Sequence, residues 1–103
     1  MKLNIYSIYD TAIGTYLRPF FTGADGDAAR SFSDLAIDAE HQIGKHPADY
    51  TLFRLGSFND NTGKIEGETP EKLATALECI AASRTVNKNQ MSLLDEGIKN
   101  GTA

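Results

Sequence analysis

Hydrophobic positions change their period along this chain, and the changes mark its elements. Residues 2–9, Lys-Leu-Asn-Ile-Tyr-Ser-Ile-Tyr, are rich in strand formers. Leu3 and Ile5 share one face and Lys2, Asn4 and Tyr6 the other, which predicts a strand. Asp10 to Gly14 reads as a turn. Residues 15–22 give a second strand candidate with Tyr16, Leu17, Phe20 and Phe21. Pro19 inside it cannot donate to a ladder, so this strand is expected to be short or at an edge. From Ala28 the period becomes helical, with Ala28, Phe32, Leu35, Ala36, Ala39 and Ile43 on one face. Asp25 or Asp27 would cap that helix, and Gly44 would stop it.

After the loop Lys45 to Asp49, residues 50–58 read as a third strand. Asn59 to Gly63 is dense in turn residues, and Lys64-Ile65-Glu66 would return as a fourth strand to close a hairpin. Thr69-Pro70-Glu71 has the form of a helix start, with Thr as cap and Pro at the first position. Leu73, Leu77, Ile80 and Ala81 follow at helical spacing, so a helix is favoured over a further strand for 70–82. Beyond residue 84 hydrophobic density falls, and only Met91, Leu94 and Ile98 form a weak stripe. The resulting order is β-β-α-β-β-α. It predicts an α+β domain over residues 1–83, a small antiparallel sheet of about four strands packed by one or two helices, and a weakly structured tail over 84–103.

Composition narrows the function classes. A chain of 103 residues with 41% hydrophobic and 23% charged residues suits one soluble globular domain. The net charge of −4 argues against a simple basic nucleic-acid coat. Cys79 is the sole cysteine, so no disulfide forms within the chain; its apolar neighbours suggest a buried, inert thiol. No window approaches the ~18 apolar residues of a membrane span, and Asn4 interrupts any signal-peptide core. These features point to a soluble protein of a reducing cytoplasm, without a membrane partner.

Catalytic and metal-binding patterns are weak. His41 and His46 are five apart and separated by Gly44, which does not suit a helical metal pair. The loop 59–68 has the residue types of a calcium loop, but placing Gly63 sixth puts Phe58 where the first oxygen ligand is needed. Asp25, Asp27, Asp34 and Asp38 are accounted for by capping and a solvated helix face. Gly23-Ala24-Asp25-Gly26 lacks the Lys and Ser or Thr of a phosphate loop. No cofactor, no metal and no enzymatic activity are expected.

One pattern is more suggestive. With strict alternation, Tyr16, Arg18 and Phe20 share a face of the second strand, and Tyr50, Arg54 and Phe58 a face of the third. An Arg among aromatics on a sheet is one way to hold single-stranded nucleic acid, rings stacking on bases and cations meeting phosphates. Lys64 on the hairpin would add charge. The alternatives are that Arg stems cover the rings, or that the rings face the core.

The opening Met1-Lys2-Leu3-Asn4-Ile5-Tyr6-Ser7-Ile8-Tyr9-Asp10 resembles the start of a small non-structural protein of gokushovirus-type microviruses, which are single-stranded DNA phages. The resemblance continues through Arg18-Pro19-Phe20-Phe21, Arg30-Ser31-Phe32, the run His46 to Gly56 and the hairpin ending Asp60-Asn61-Thr62-Gly63, and covers about residues 1–66. It implies a role in the phage DNA cycle in the bacterial cytoplasm, by DNA binding or in single-strand synthesis and packaging. It supplies no catalytic residues. The leading expectation is a non-enzymatic accessory that binds single-stranded DNA through Tyr16, Arg18, Phe20, Tyr50, Arg54 and Lys64, with self-association multiplying weak sites. The alternative is a module that binds a phage or host replication protein or a procapsid protein, through the edge at 15–22 or the Met91-Leu94-Ile98 stripe.

Overall fold

A computed structural model describes residues 1–84. The Met91-Leu94-Ile98 stripe and the expected tail therefore lie outside the described residues. The chain runs β1 (Lys2–Asp10), β2 (Thr15–Tyr16), β3 (Phe20–Thr22), α1 (Asp25–Ile37), α2 (Gln42–Lys45), a 3-10 turn (Pro47–Asp49), β4 (Tyr50–Asn59) and β5 (Ile65–Thr75), and residues 76–84 are helical. All strand pairs are antiparallel. β1 and β4 are the central pair, β5 forms one edge, and β2 and β3 together form the other. This is the expected α+β class, with five strands among the described residues where the sequence predicts about four.

The helices cover one face. Tyr6 and Ile8 of β1, Tyr50 and Leu52 of β4, Ala28, Phe32 and Ala36 of α1, Ile43 of α2 and Ala76 form one buried cluster. Phe32 and Leu52 are almost wholly buried, and each such side chain contributes roughly 1.5–3 kcal/mol through removal of apolar surface from water. The part of the helical stripe from Ala28 to Ala36 thus faces the sheet, while Ala39 is exposed past the end of α1.

Four local expectations are corrected. The strand at 15–22 is two short strands, because Leu17, Arg18 and Pro19 interrupt it; Pro19 does lie at an edge. α1 is not capped by an aspartate: Ala24 holds the cap position with no side-chain bond, and Asp25 is used elsewhere. The helix does not run on to Gly44. It ends at Ile37, Asp38 turns extended, and its carboxylate accepts from the Glu40 N–H at 2.9 Å. The chain re-enters α2, where His41 Nδ1 accepts from the Ile43 N–H at 3.1 Å. Gly44 is required there because a Cβ would overlap the Asp38 carbonyl oxygen. It permits a close approach between α2 and the end of α1.

The fourth correction concerns Thr69-Pro70. The fourth strand does not end at Glu66 but continues as β5 to Thr75, and Pro70 lies in an irregular stretch of this edge strand, a position where a missing N–H is tolerated. The helix starts well after the Thr69 signature. There Thr75 Oγ1 accepts from the Glu78 N–H at 3.0 Å, and a Glu78 carboxylate oxygen accepts from the Thr75 N–H at 3.3 Å. Thr75-Ala76-Leu77-Glu78 is a capping box, a stronger signal than Thr-Pro. The hairpin turn is as expected: Asn59 Oδ1 accepts from the Asn61 and Thr62 N–H groups, and Gly63 takes φ +75°.

Candidate functional site

Among the described residues the helix layer covers one face of the sheet and leaves the other open, and register decides which side chains reach it. β1 is regular, with Leu3, Ile5, Ser7 and Tyr9 directed away from the helices. Its neighbours are not. β4 pairs Ile5 with Gly56 but Tyr6 with Arg54, so one extra residue, Leu55, is inserted. On the other side β1 pairs Tyr9 with Tyr16 but Tyr6 with Phe20, again one extra residue on the partner. An inserted residue reverses the parity of everything beyond it. Tyr16 and Phe21 are five apart, as are Phe53 and Phe58. In regular strands each pair would split between faces. The bulges bring all four to the open face, which Tyr9 shares.

The rings form two patches. Tyr9, Tyr16 and Phe53 lie with centroids 4.8, 5.6 and 6.3 Å apart. Phe21 and Phe58 meet edge-on at 5.6 Å. Tyr16 and Phe21 keep 41% and 49% of their surface exposed, and Ile65, the register partner of Phe58, is also exposed. Among the described residues, no aspartate or glutamate holds a paired strand position on this face: Asp10, Glu66 and Glu71 pair at the levels of Tyr50, Ser57 and Arg54, on the helix side. Lys72 pairs with Phe53 on the open side, and Glu78 reaches it from the helical segment at 3.3 Å. Arg18 is exposed within the β2–β3 interruption.

The six residues expected to form a binding surface do not converge. Tyr16 is on the open face. Phe20 is on the opposite one, stacked on Tyr6 at 5.6 Å. Tyr50 is 3% exposed and belongs to the core; burial, then the neighbouring Asp10 carboxylate, pushes its phenol pKa up. Lys64 stands at the hairpin end, 3.5 Å from Glu66. Arg54 is on the helix side and engaged on every nitrogen: Nη1 donates to Asp25 at 2.5 Å, Nε to Glu68 at 2.7 Å and Nη2 to Glu71. The Glu68 bond, with the three carboxylate charges, raises its pKa further. Asp25 also accepts from the Tyr6 hydroxyl at 2.7 Å, and Asn4 Nδ2 donates to the same hydroxyl at 3.0 Å. This network ties α1, β1, β4 and β5 together at the β4 bulge. Tyr9, Phe21 and Phe53 were missed by alternation alone, and Phe58 was grouped with the wrong face. The available signals were Pro19 and Gly56, residues that mark bulges when they occur within strand patterns.

The described residues contain no cluster of three or more His, Cys, Asp or Glu that could hold a metal ion. Cys79 is half-buried, and burial pushes its thiol pKa up, which lowers its thiolate content at neutral pH. No helix among the described residues is long and apolar enough to cross a membrane.

These features define a small two-layer α+β protein with helices on one face of its sheet and exposed rings on the other. A family model described as Phage ORF5 protein matches residues 3–79, and the chain belongs to that family. No curated protein and no solved structure matches it.

Proposed function

We propose that this chain is a non-enzymatic accessory protein of a gokushovirus-like microvirus, acting in viral DNA replication or packaging in the host cytoplasm by binding single-stranded DNA on its open sheet face. The observation that carries this reading is five aromatic side chains on a face whose paired strand positions, among the described residues, hold no carboxylate. Aromatic side chains accept bases of any sequence, at ~1–3 kcal/mol per stacked base. Tyr9, Tyr16 and Phe53 are the stacking rings, and Arg18 and Lys72 flank the path of the phosphates, whereas Lys64 stands with Ser57 and Glu66 on the other side of the hairpin. Phe20, Tyr50 and Arg54 are not part of this surface, because they lie on the helix side. The net charge of −4 keeps the affinity modest, since phosphate neutralisation supplies much of the binding free energy; self-association would raise it by avidity.

The same charge favours a second reading, in which the exposed rings dock a phage or host replication protein or a procapsid protein. The edge at 15–22 is a poor alternative for that partner, because Pro19 and the interruption break its row of hydrogen-bonding groups. Fluorescence anisotropy with a labelled single-stranded DNA separates the two. The expected result is saturable binding that weakens with salt, with Arg18→Ala reducing the log–log salt slope by about 0.7. Absence of binding even at low salt would favour the protein partner, to be sought by pull-down with the phage replication and capsid proteins.

A further inference from the structure

The open face carries two ring patches, and their separation is set by β1. Tyr16 pairs with Tyr9, and Phe21 pairs with Ile5. Tyr9 and Ile5 are four residues apart on a strand without bulges of its own, a distance of about 13 Å at ~3.3 Å per residue. A strand stacked as in the DNA duplex advances ~3.4 Å per nucleotide, so about five nucleotides stacked in that way reach from one patch to the other. Between them lie Ile5 and Ser7, both buried, Ser7 with its hydroxyl on the Leu17 carbonyl at 2.6 Å, and Gly56, which has no side chain. Nothing in this gap offers a third ring. β5 also packs closely at Gly56, since a Cβ there would overlap the Glu66 carbonyl oxygen. The bulge that aligns Phe53 with Phe58 is therefore built into the backbone packing.

We infer that the two ring patches are two stacking stations of one site, whose ligand is a single strand long enough to occupy both. This rests on the single-stranded DNA reading above. Charge complementarity selects the occupant. The paired strand positions of the face hold the rings, aliphatic and small side chains and Lys72, which Glu78 meets at 3.3 Å, with Arg18 exposed at the β2–β3 break, while the acidic strand positions point to the helix side. A polyanion with flat, uncharged bases fits such a surface. Arg54 takes part only by position: it sits beside the inserted Leu55 and bonds Glu68 and Glu71 across the irregular part of β5.

The test compares oligothymidylates of three and eight nucleotides on the full chain, by anisotropy for the longer and NMR shift titration for the shorter. Tyr16→Ala and Phe58→Leu each remove a ring from a different station, and leucine at 58 keeps the apolar packing. Each variant is expected to weaken the eight-nucleotide ligand at least fivefold. Neither should weaken the three-nucleotide ligand more than twofold, because the other station remains. If Phe58→Leu leaves the longer ligand unaffected while Tyr16→Ala weakens it, DNA is bound but the second station does not exist. If the unaltered chain binds neither ligand at low salt, both this inference and the reading beneath it fall. A dimer in sedimentation that Phe58→Leu dissociates would show that a second copy occupies the face, and would also overturn the inference.

Discussion

On the helix side of the sheet Tyr6 and Leu52 are fully enclosed, while on the other side Tyr16 and Phe21 keep nearly half their surface in solvent. The same strands supply both faces, and both are aromatic. The polar groups differ. On the helix side the Tyr6 hydroxyl, Asp25 and Arg54 satisfy one another, and Glu68 and Glu71 complete the set. A buried hydroxyl needs such partners, because an unpaired one carries a desolvation penalty. On the open side the rings meet mainly each other. One face uses its polar chemistry to hold the fold; the other leaves flat apolar surface uncovered, which is the condition for a ligand.

The largest effect expected from breaking this contrast is in the core. Phe32→Ala should lower unfolding stability by about 3–5 kcal/mol through loss of buried surface and the cavity left behind, whereas Tyr16→Ala should cost clearly less, since much of that side chain is already in solvent and each aromatic pair adds only ~0.5–1.5 kcal/mol beyond the area it buries. Urea unfolding measures both, and equal losses would erase the distinction between the faces. Next in size, Tyr6→Phe removes a hydroxyl bonded to a carboxylate and should cost ~1.5–3 kcal/mol. Burial, then the Asp25 bond, raises the Tyr6 pKa above its ordinary 10.0. The associated stability is fully present below pH 10.0 and declines as pH rises through the folded-state value. Stability curves of the two proteins should therefore converge at alkaline pH, and parallel curves would show that Tyr6 does not titrate as described.

The smallest effect lies at the junction of β5 with the helical segment. Thr75→Ala removes the cap and should cost about 1 kcal/mol. The Thr75 N–H, then Lys72, holds the Glu78 carboxyl below its ordinary 4.5. That contribution is present above pH 4.5 and disappears as pH falls through the folded-state value. An NMR titration should find the Glu78 pKa below 4.5 in the native chain and closer to 4.5 in the Lys72→Ala variant. An unchanged value in that variant would leave the backbone bond as the sole cause.

Much of the architecture was legible in the residues. β1 and β4 follow from their strand formers, α1 from the Ala28-Phe32-Ala36 stripe, and the hairpin turn from Asn59 and Gly63. The helix start at Thr75 was legible too, as Thr-x-x-Glu, but Thr69-Pro70 offered a competing signal, and a proline on a bulged edge strand is as acceptable as one at a helix start. Asp25 read as a cap because local sequence does not show a tyrosine and an arginine arriving from two other strands.

The candidate site was less legible, because a strand's face is a matter of parity. Strict alternation placed Tyr16 with Phe20 and Tyr50 with Phe58, and a single inserted residue in each partner strand undid both groupings. The chain by itself determined the residue types and the strand and helix periods. Only the tertiary structure decided where the bulges fall, since a bulge is defined by the partner strand: Leu55 is an extra residue only relative to β1, and the Arg18-Pro19 break only relative to Ser7. Those two pairings turned rings spaced five apart into neighbours on one face.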